Sequence, residues 1–156
     1  MVSVSTYTGN TTDAERTPTE YLIRDARDLS PTMLYRCIVE GFTLDDVRAM
    51  LGVSGLPSTK QIMSRIMGMS SRTIQRQSRS KHPARLTPHQ SAVAFQYAKI
   101  LEQATLIFGT RLLAENWLGN PCKFLDGNLP LEMIDNSLGF QVVEDYLWRI
   151  HYGAYQ

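Results

Sequence analysis

Paired helix start and stop signals run along most of this chain, and they constrain its fold more than any other feature. The clearest start is Thr87-Pro88-His89-Gln90, where a capping box coincides with a proline at the first helical position. Apolar residues then recur at helical spacing as far as Gly109, which predicts the end of the helix. No segment shows a convincing period-two alternation, so the sequence predicts an all-α fold.

Further start signals predict other helices of the same kind. Each is a capping residue or capping box that precedes a stripe of apolar residues. They are Ser30-Pro31, Thr43 with Asp46, Ser58 to Gln61, and Ser70 or Ser71. Residues 1–29 are polar and largely aperiodic, apart from a short helix that Tyr21 to Ile23 could begin, and are predicted to be loosely held.

Length and composition place the chain among globular proteins. It has 156 residues, of which 43% are hydrophobic, so either one ordinary domain with a substantial core or two very small domains are expected. It lacks an apolar run of about 18 residues and a basic, apolar leader, so we expect no membrane span and no secretory signal. Cys37 and Cys122 are 85 positions apart, which predicts reduced thiols in a cytosolic protein.

Charge is segregated along the chain although the formal net charge is only +1. Residues 1–46 carry a net charge of −4, residues 47–101 carry +9 without an acidic residue, and residues 102–156 carry −4. A basic block of this kind attracts polyanions such as nucleic acid. The alternative is a basic surface that is merely solvated.

The basic block contains the layout of a helix-turn-helix. A helix with Met63 and Met67 is followed by Gly68, which permits a tight turn, and Ile74 would anchor a second helix. Arginine and glutamine suit base edges, and serine and threonine suit phosphates. The candidate DNA-binding residues are Ser70, Ser71, Arg72, Thr73, Gln75, Arg76 and Arg79. Gln77 departs from the pattern, because an apolar anchor is usual at that position.

Residues 85–153 resemble a known family. Arg85-Leu86-Thr87-Pro88, Phe108-Gly109, Trp117-Leu118, Asn120-Pro121, Pro130-Leu131-Glu132, Gly139 with Val143 and Arg149-Ile150 occur in family order. This pattern resembles the toxin-binding domain of the Xre/MbcA/ParS antitoxins, and the helices before it resemble the Xre-type helix-turn-helix. Asp126 stands where the family often has glycine.

The resemblance implies a domain plan and a function. Residues 1–29 would be a flexible segment, 30–82 a helix-turn-helix DNA-binding domain, and 83–156 a small helical toxin-binding domain. Such proteins are bacterial antitoxins that neutralise a NAD-consuming RES-domain toxin and repress their own operon. The implied partners are the toxin, operator DNA and a second copy of the chain. The implied location is the cytoplasm, or the nucleoid when operator DNA is bound.

The last residues are the candidate toxin contacts. Tryptophan, tyrosine and arginine dominate interface hot spots, and the candidates are Trp148, Arg149, His151, Tyr152, Gly153 and Tyr155. The acidic surplus of residues 102–156 could complement a basic nucleotide cleft. The alternative is that Ile150 and Tyr152 only close the core while the tail frays.

Two rival functions remain at this stage. The chain could be a stand-alone helix-turn-helix regulator whose C-terminal half only dimerises, or a toxin binder with a degenerate helix-turn-helix. No metal spacing, phosphate loop or catalytic constellation is present in the sequence, so neither an enzyme nor a cofactor is expected.

Overall fold

The computed structural model describes residues 16–52, 57–80 and 84–153, which are mostly helical. The helices are α1 (Pro18–Leu22), α2 (Pro31–Glu40), α3 (Leu44–Leu51), α4 (Pro57–Met67), α5 (Ser71–Ser78), α6 (Pro88–Phe108), α7 (Arg111–Leu118), α8 (Pro130–Met133) and α9 (Ser137–His151). Within the described ranges, extended pairing is confined to an isolated antiparallel bridge between Thr43 and Arg85. The all-α prediction is therefore confirmed.

Most predicted helix starts are confirmed, and one is wrong. Ser30 caps α2, Thr43 and Asp46 form a capping box at α3, and Thr87 and Gln90 form one at α6. The predicted box at Ser58 to Gln61 is wrong, because α4 begins at Pro57 and Ser58 is buried inside the first turn. Proline at a first helical turn is itself a start signal, since it has no amide hydrogen to leave unsatisfied.

Helix α6 forms the centre of the molecule. It packs against α1, α2, α4, α7 and α9, so it is buried on several sides. Its buried residues are Ser91, Val93, Ala94, Tyr97, Ala98, Ile100, Leu101 and Ala104. The Tyr97 hydroxyl donates a hydrogen bond to the carbonyl oxygen of Leu131, and burial raises the pKa of Tyr97.

The described part of the N-terminal segment differs from its prediction as loosely held. Leu22, Ile23 and Ala26 are buried in the core, and α1 packs against α3 and α6. The Thr19 hydroxyl donates to Glu102 at 2.7 Å, which attaches α1 to α6. Residues 1–15 lie outside the described ranges. The polar composition misleads here because the few apolar residues of this segment fall on one packed face.

Arg111 joins the first and last parts of the chain. Its guanidinium donates to the carbonyl oxygens of Met50 and Leu51 at 2.7 and 2.8 Å, where α3 ends. It also pairs at 3.0 Å with Glu115, whose carboxylate is almost fully buried. A cation at a helix C-terminus satisfies carbonyls that have no partner within the helix.

We predict that Arg111→Ala lowers the free energy of unfolding by about 3–5 kcal/mol, because it leaves the Glu115 carboxylate buried without a counter-charge. Urea unfolding followed by circular dichroism measures this loss. The double variant Arg111→Ala with Glu115→Gln should recover part of it, since the orphaned charge is then absent. Equal losses in the single and double variants would contradict the argument.

Candidate functional site

Helices α4 and α5 are joined by a three-residue turn, 68–70, as the sequence predicts. Gly68 has a φ of +66°, a conformation that costs little only for glycine. Ser70 caps α5 by accepting a hydrogen bond from the Thr73 amide. The Gln90 side chain donates to the Met67 carbonyl oxygen at 2.9 Å. The start of α6 thereby holds the end of α4, and the turn is fixed relative to the core.

Helix α5 is attached to the molecule by little apolar contact. Ile74 is buried, as predicted, while the remaining residues of α5 are exposed or half-buried. Gln77, which stands where an apolar anchor is usual, is exposed and lines a cavity of about 230 Å³ together with Leu44 and Arg48 of α3. The missing anchor therefore corresponds to a real gap between α5 and α3.

The structure brings the candidate DNA-binding residues onto one exposed element. Ser71, Arg72, Gln75, Arg76 and Arg79 are exposed on α5 or at its end. Ser70 and Thr73 share a local hydrogen bond between their hydroxyl groups at 3.0 Å. These two side chains therefore support the helix start as well as being available at its N-terminus.

Tertiary structure neutralises part of the basic block. Three of its nine basic residues are in ion pairs, Arg48 with Asp45, Arg65 with Asp135 and Lys99 with Glu144, whereas Arg85 donates to the neutral Gly41 carbonyl. Within the described residues, no ion pair involves Lys60, Arg72, Arg76 or Arg79. The uncompensated positive charge is therefore concentrated on α4 and α5.

The same pairing reduces the acidic surplus of the C-terminal part. Five of its seven acidic residues are in ion pairs: Glu102 with Arg27, Glu115 with Arg111, Glu132 and Asp135 with Arg65, and Glu144 with Lys99. A partner of this region therefore meets less free negative charge than the sequence suggests.

A close backbone approach positions the start of α9. Asn136 caps the helix by accepting hydrogen bonds from the amides of Leu138 and Gly139. A Cβ atom at Gly139 would overlap the carbonyl group of Met133, at the end of α8. Glycine is therefore required here by the packing of α8 against α9, although the position is helical.

Three aromatic rings gather where α9 ends. The Trp148 and Tyr152 rings are stacked at 5.4 Å between centroids, and His151 meets both rings edge-on, at 6.0 and 5.0 Å. Trp148 is 45% exposed and Tyr152 is 74% exposed. This cluster of Trp148, His151 and Tyr152 is called the aromatic end below.

The other candidate toxin contacts and their neighbours on α9 differ in their exposure. Arg149 and Gly153 are exposed beside the aromatic end, and Tyr155 lies outside the described residues. Leu147 is fully buried, and Tyr146 and Ile150 are half-buried. The last turn of α9 therefore has a core face and an exposed face.

Sequence reasoning missed a second exposed apolar group near α9. Its members are Phe124 (63% exposed), Leu138 (68%) and Val142 (40%). Phe124 stacks on Tyr146, which in turn stacks on Trp117. Leu138 and Val142 are one helical turn apart, and this spacing is the sequence pattern that could have predicted an apolar stripe there.

Comparison with known proteins indicates what kind of domain carries the surfaces at α9. Residues 103–153 match the family model of the antitoxin Xre/MbcA/ParS C-terminal toxin-binding domain. Antitoxin Xre of Yersinia enterocolitica is 26% identical over 125 residues, which cover 80% of this chain and 82% of that protein. Residues 103–153, which include α7 to α9, therefore form a toxin-binding domain of the Xre/MbcA/ParS antitoxin type. A domain of this kind has a binding and regulatory role rather than an enzymatic one.

One departure of the chain from the family pattern has a structural reason. Asp126 has a φ of +56°, so the turn after Leu125 needs the left-handed conformation that glycine adopts freely. Aspartate tolerates that conformation better than most other residues. The substitution therefore leaves the turn intact.

A membrane-spanning segment, which needs a long and strongly apolar helix, is not found among the described helices. His, Cys, Asp and Glu side chains of the described residues do not gather in groups of three or more that could hold a metal ion.

We predict that Gly139→Ala destabilises the protein by roughly 1–3 kcal/mol, because the added methyl group must displace the Met133 carbonyl or α9. Thermal unfolding measures the change, and toxin binding should weaken with it. Gly119→Ala is the matched control, since a Cβ there meets ordinary van der Waals contacts and needs no rearrangement. Equal stabilities for the two variants would contradict the close-approach argument.

Proposed function

We propose that this chain is an antitoxin, and that it neutralises a NAD-consuming RES-domain toxin by covering its active-site cleft with the end of α9 and the tail that follows. The observation that carries this proposal is the aromatic end, an exposed stack of rings within the matched toxin-binding domain. Large apolar groups on a surface mark interaction sites, and tryptophan and tyrosine are frequent binding hot spots.

Preorganisation favours the aromatic end as a binding group. The Trp148 and Tyr152 rings support each other before any partner arrives, so fewer side-chain rotations must be frozen on binding. Because most acidic residues nearby are paired internally, we attribute recognition mainly to these rings and to Arg149 rather than to net charge.

The proposal includes a second activity, repression of the antitoxin's own operon through α4 and α5. Support comes from the exposed residues of α5 and from the positive charge that remains uncompensated on both helices. The antitoxin would act as a homodimer in the bacterial cytoplasm and associate with the nucleoid when bound to its operator.

The double variant Trp148→Ala with Tyr152→Ala tests toxin binding. Each truncated hot-spot residue costs about 2 kcal/mol or more, so we expect an affinity loss of at least ~30-fold per residue. Calorimetry with purified toxin measures the affinity, and growth with cellular NAD measures rescue during co-expression. Full rescue and unchanged affinity would overturn the assignment of the aromatic end. A toxin that stops growth while NAD stays constant would mean that the toxin is of another kind, or that it modifies a target and uses little NAD.

The variants Arg72→Ala and Arg76→Ala test operator binding. Loss of a base contact costs roughly 1–3 kcal/mol, and loss of a phosphate contact lowers the slope of affinity against salt by about 1. Gel shifts on the antitoxin's own promoter over a range of salt concentrations measure both effects. Unchanged operator binding in both variants would exclude α5 as the reading helix.

These two sets of variants are controls for each other. The α5 variants should keep full toxin affinity, and the aromatic-end variant should keep full operator affinity. Loss of both activities in either variant would indicate a folding defect. An antitoxin that binds the operator but no toxin would favour a stand-alone regulator.

A further inference from the structure

Helix α2 is poorly buried for a ten-residue helix. Every residue of α2 is exposed or half-buried, and its contact with α6 is made through the half-buried Leu34, Cys37 and Ile38. Met33, Tyr35 and Val39 expose 50%, 66% and 44% of their surfaces. Helices of this length depend on packing for stability, so an apolar outer face indicates a missing neighbour.

The outer residues of α2 form one continuous face. Thr32, Tyr35, Arg36 and Val39 follow the spacing i, i+3, i+4 and i+7, which places them on one side of the helix. Leu34, Cys37 and Ile38 occupy the opposite side, against α6. This surface of Thr32, Tyr35, Arg36 and Val39, with Glu40 at its border, is called the α2 outer face below.

The α2 outer face carries one positive and one negative charge, a helical turn apart. Arg36 and Glu40 are exposed, and within the described part of the chain no ion pair involves either residue. Arg36 precedes Glu40, and a cation before an anion stabilises a helix less than the reverse order does. Both charges are therefore free to pair with another molecule.

Such a face is complementary to itself. When two α2 helices pack antiparallel about a two-fold axis, Arg36 of each copy comes beside Glu40 of the other, and the contact occurs twice. Val39 lies between Arg36 and Glu40 along the helix, and Tyr35 precedes Arg36 on the same face, so apolar contacts accompany the two charge pairs. Isologous contacts of this kind are the usual basis of homodimers.

We infer that the α2 outer face is the dimer interface of this antitoxin. The toxin does not account for it, since α2 lies outside the matched toxin-binding domain. Nucleic acid does not account for it either, because the face carries as much negative as positive charge. The inference rests on the homodimer in the proposed function, but it is tested without toxin or DNA.

Charge reversal tests the inference on the full-length antitoxin by sedimentation velocity over a range of concentrations. Wild type should dimerise. Arg36→Glu should weaken self-association by about tenfold or more because it opposes like charges, and Glu40→Arg should do the same. The double variant Arg36→Glu with Glu40→Arg should dimerise again, since each pair is restored with its signs exchanged.

Mixing the two single variants gives the sharpest outcome. One copy then has two glutamates on the face and the other has two arginines, so the mixture should form heterodimers although each variant alone is largely monomeric. Restored association would also show that the single variants are folded. Arg24→Glu is the matched control, because it reverses an exposed arginine outside α2 and should leave the dimer intact.

Three other outcomes would contradict this interface. A wild type that stays monomeric, or single variants that dimerise as tightly as wild type, would overturn the interface. Wild-type monomers whose toxin affinity falls with Arg36→Glu would mean that the toxin occupies this face instead. Gel shifts and toxin titrations on the same samples test the proposed function separately. A protein that binds toxin and operator but does not dimerise through α2 would contradict the interface alone.

Discussion

Burial of α6 on several sides is the constraint on which the rest of the structure depends. This helix contacts α1 and α2 from the first part of the chain, α4 from the candidate DNA-binding part, and α7 and α9 from the toxin-binding domain. The buried residues of both halves belong to one apolar cluster, so the halves share buried contacts. The two candidate surfaces are therefore held on one frame.

Polar contacts at the margins of α6 complete this frame. Gln90 at the start of α6 holds the end of α4, and Arg65 of α4 pairs with Asp135, next to the toxin-binding helices. Arg111 attaches α7 to the end of α3. Each contact joins residues at least twenty positions apart, so each restricts how the halves can be arranged rather than how a single helix forms.

Three exposed groups lie at different places on this frame. Arg72 and Arg76 lie on α5, the stacked rings lie at the end of α9, and the face with one positive and one negative charge lies on α2. Helix α5 is anchored through Ile74 and borders a cavity at Gln77, so it is held less firmly than α9. Firmer packing of α9, through Val143 and Leu147, suits a surface that presents preorganised rings.

Local sequence determined the helices, most of their ends and the family. Caps at Ser30, Thr43 and Thr87, like the turn at Gly68, depend on residues within one helical turn, so they are readable without tertiary contacts. Only the tertiary structure decided which charges remain free, because partners such as Arg65 and Asp135 are seventy positions apart. The burial of α1 and the exposure of Phe124, Leu138 and Tyr35 were likewise decided by packing, since periodicity shows that a helix has an apolar side but not what covers it.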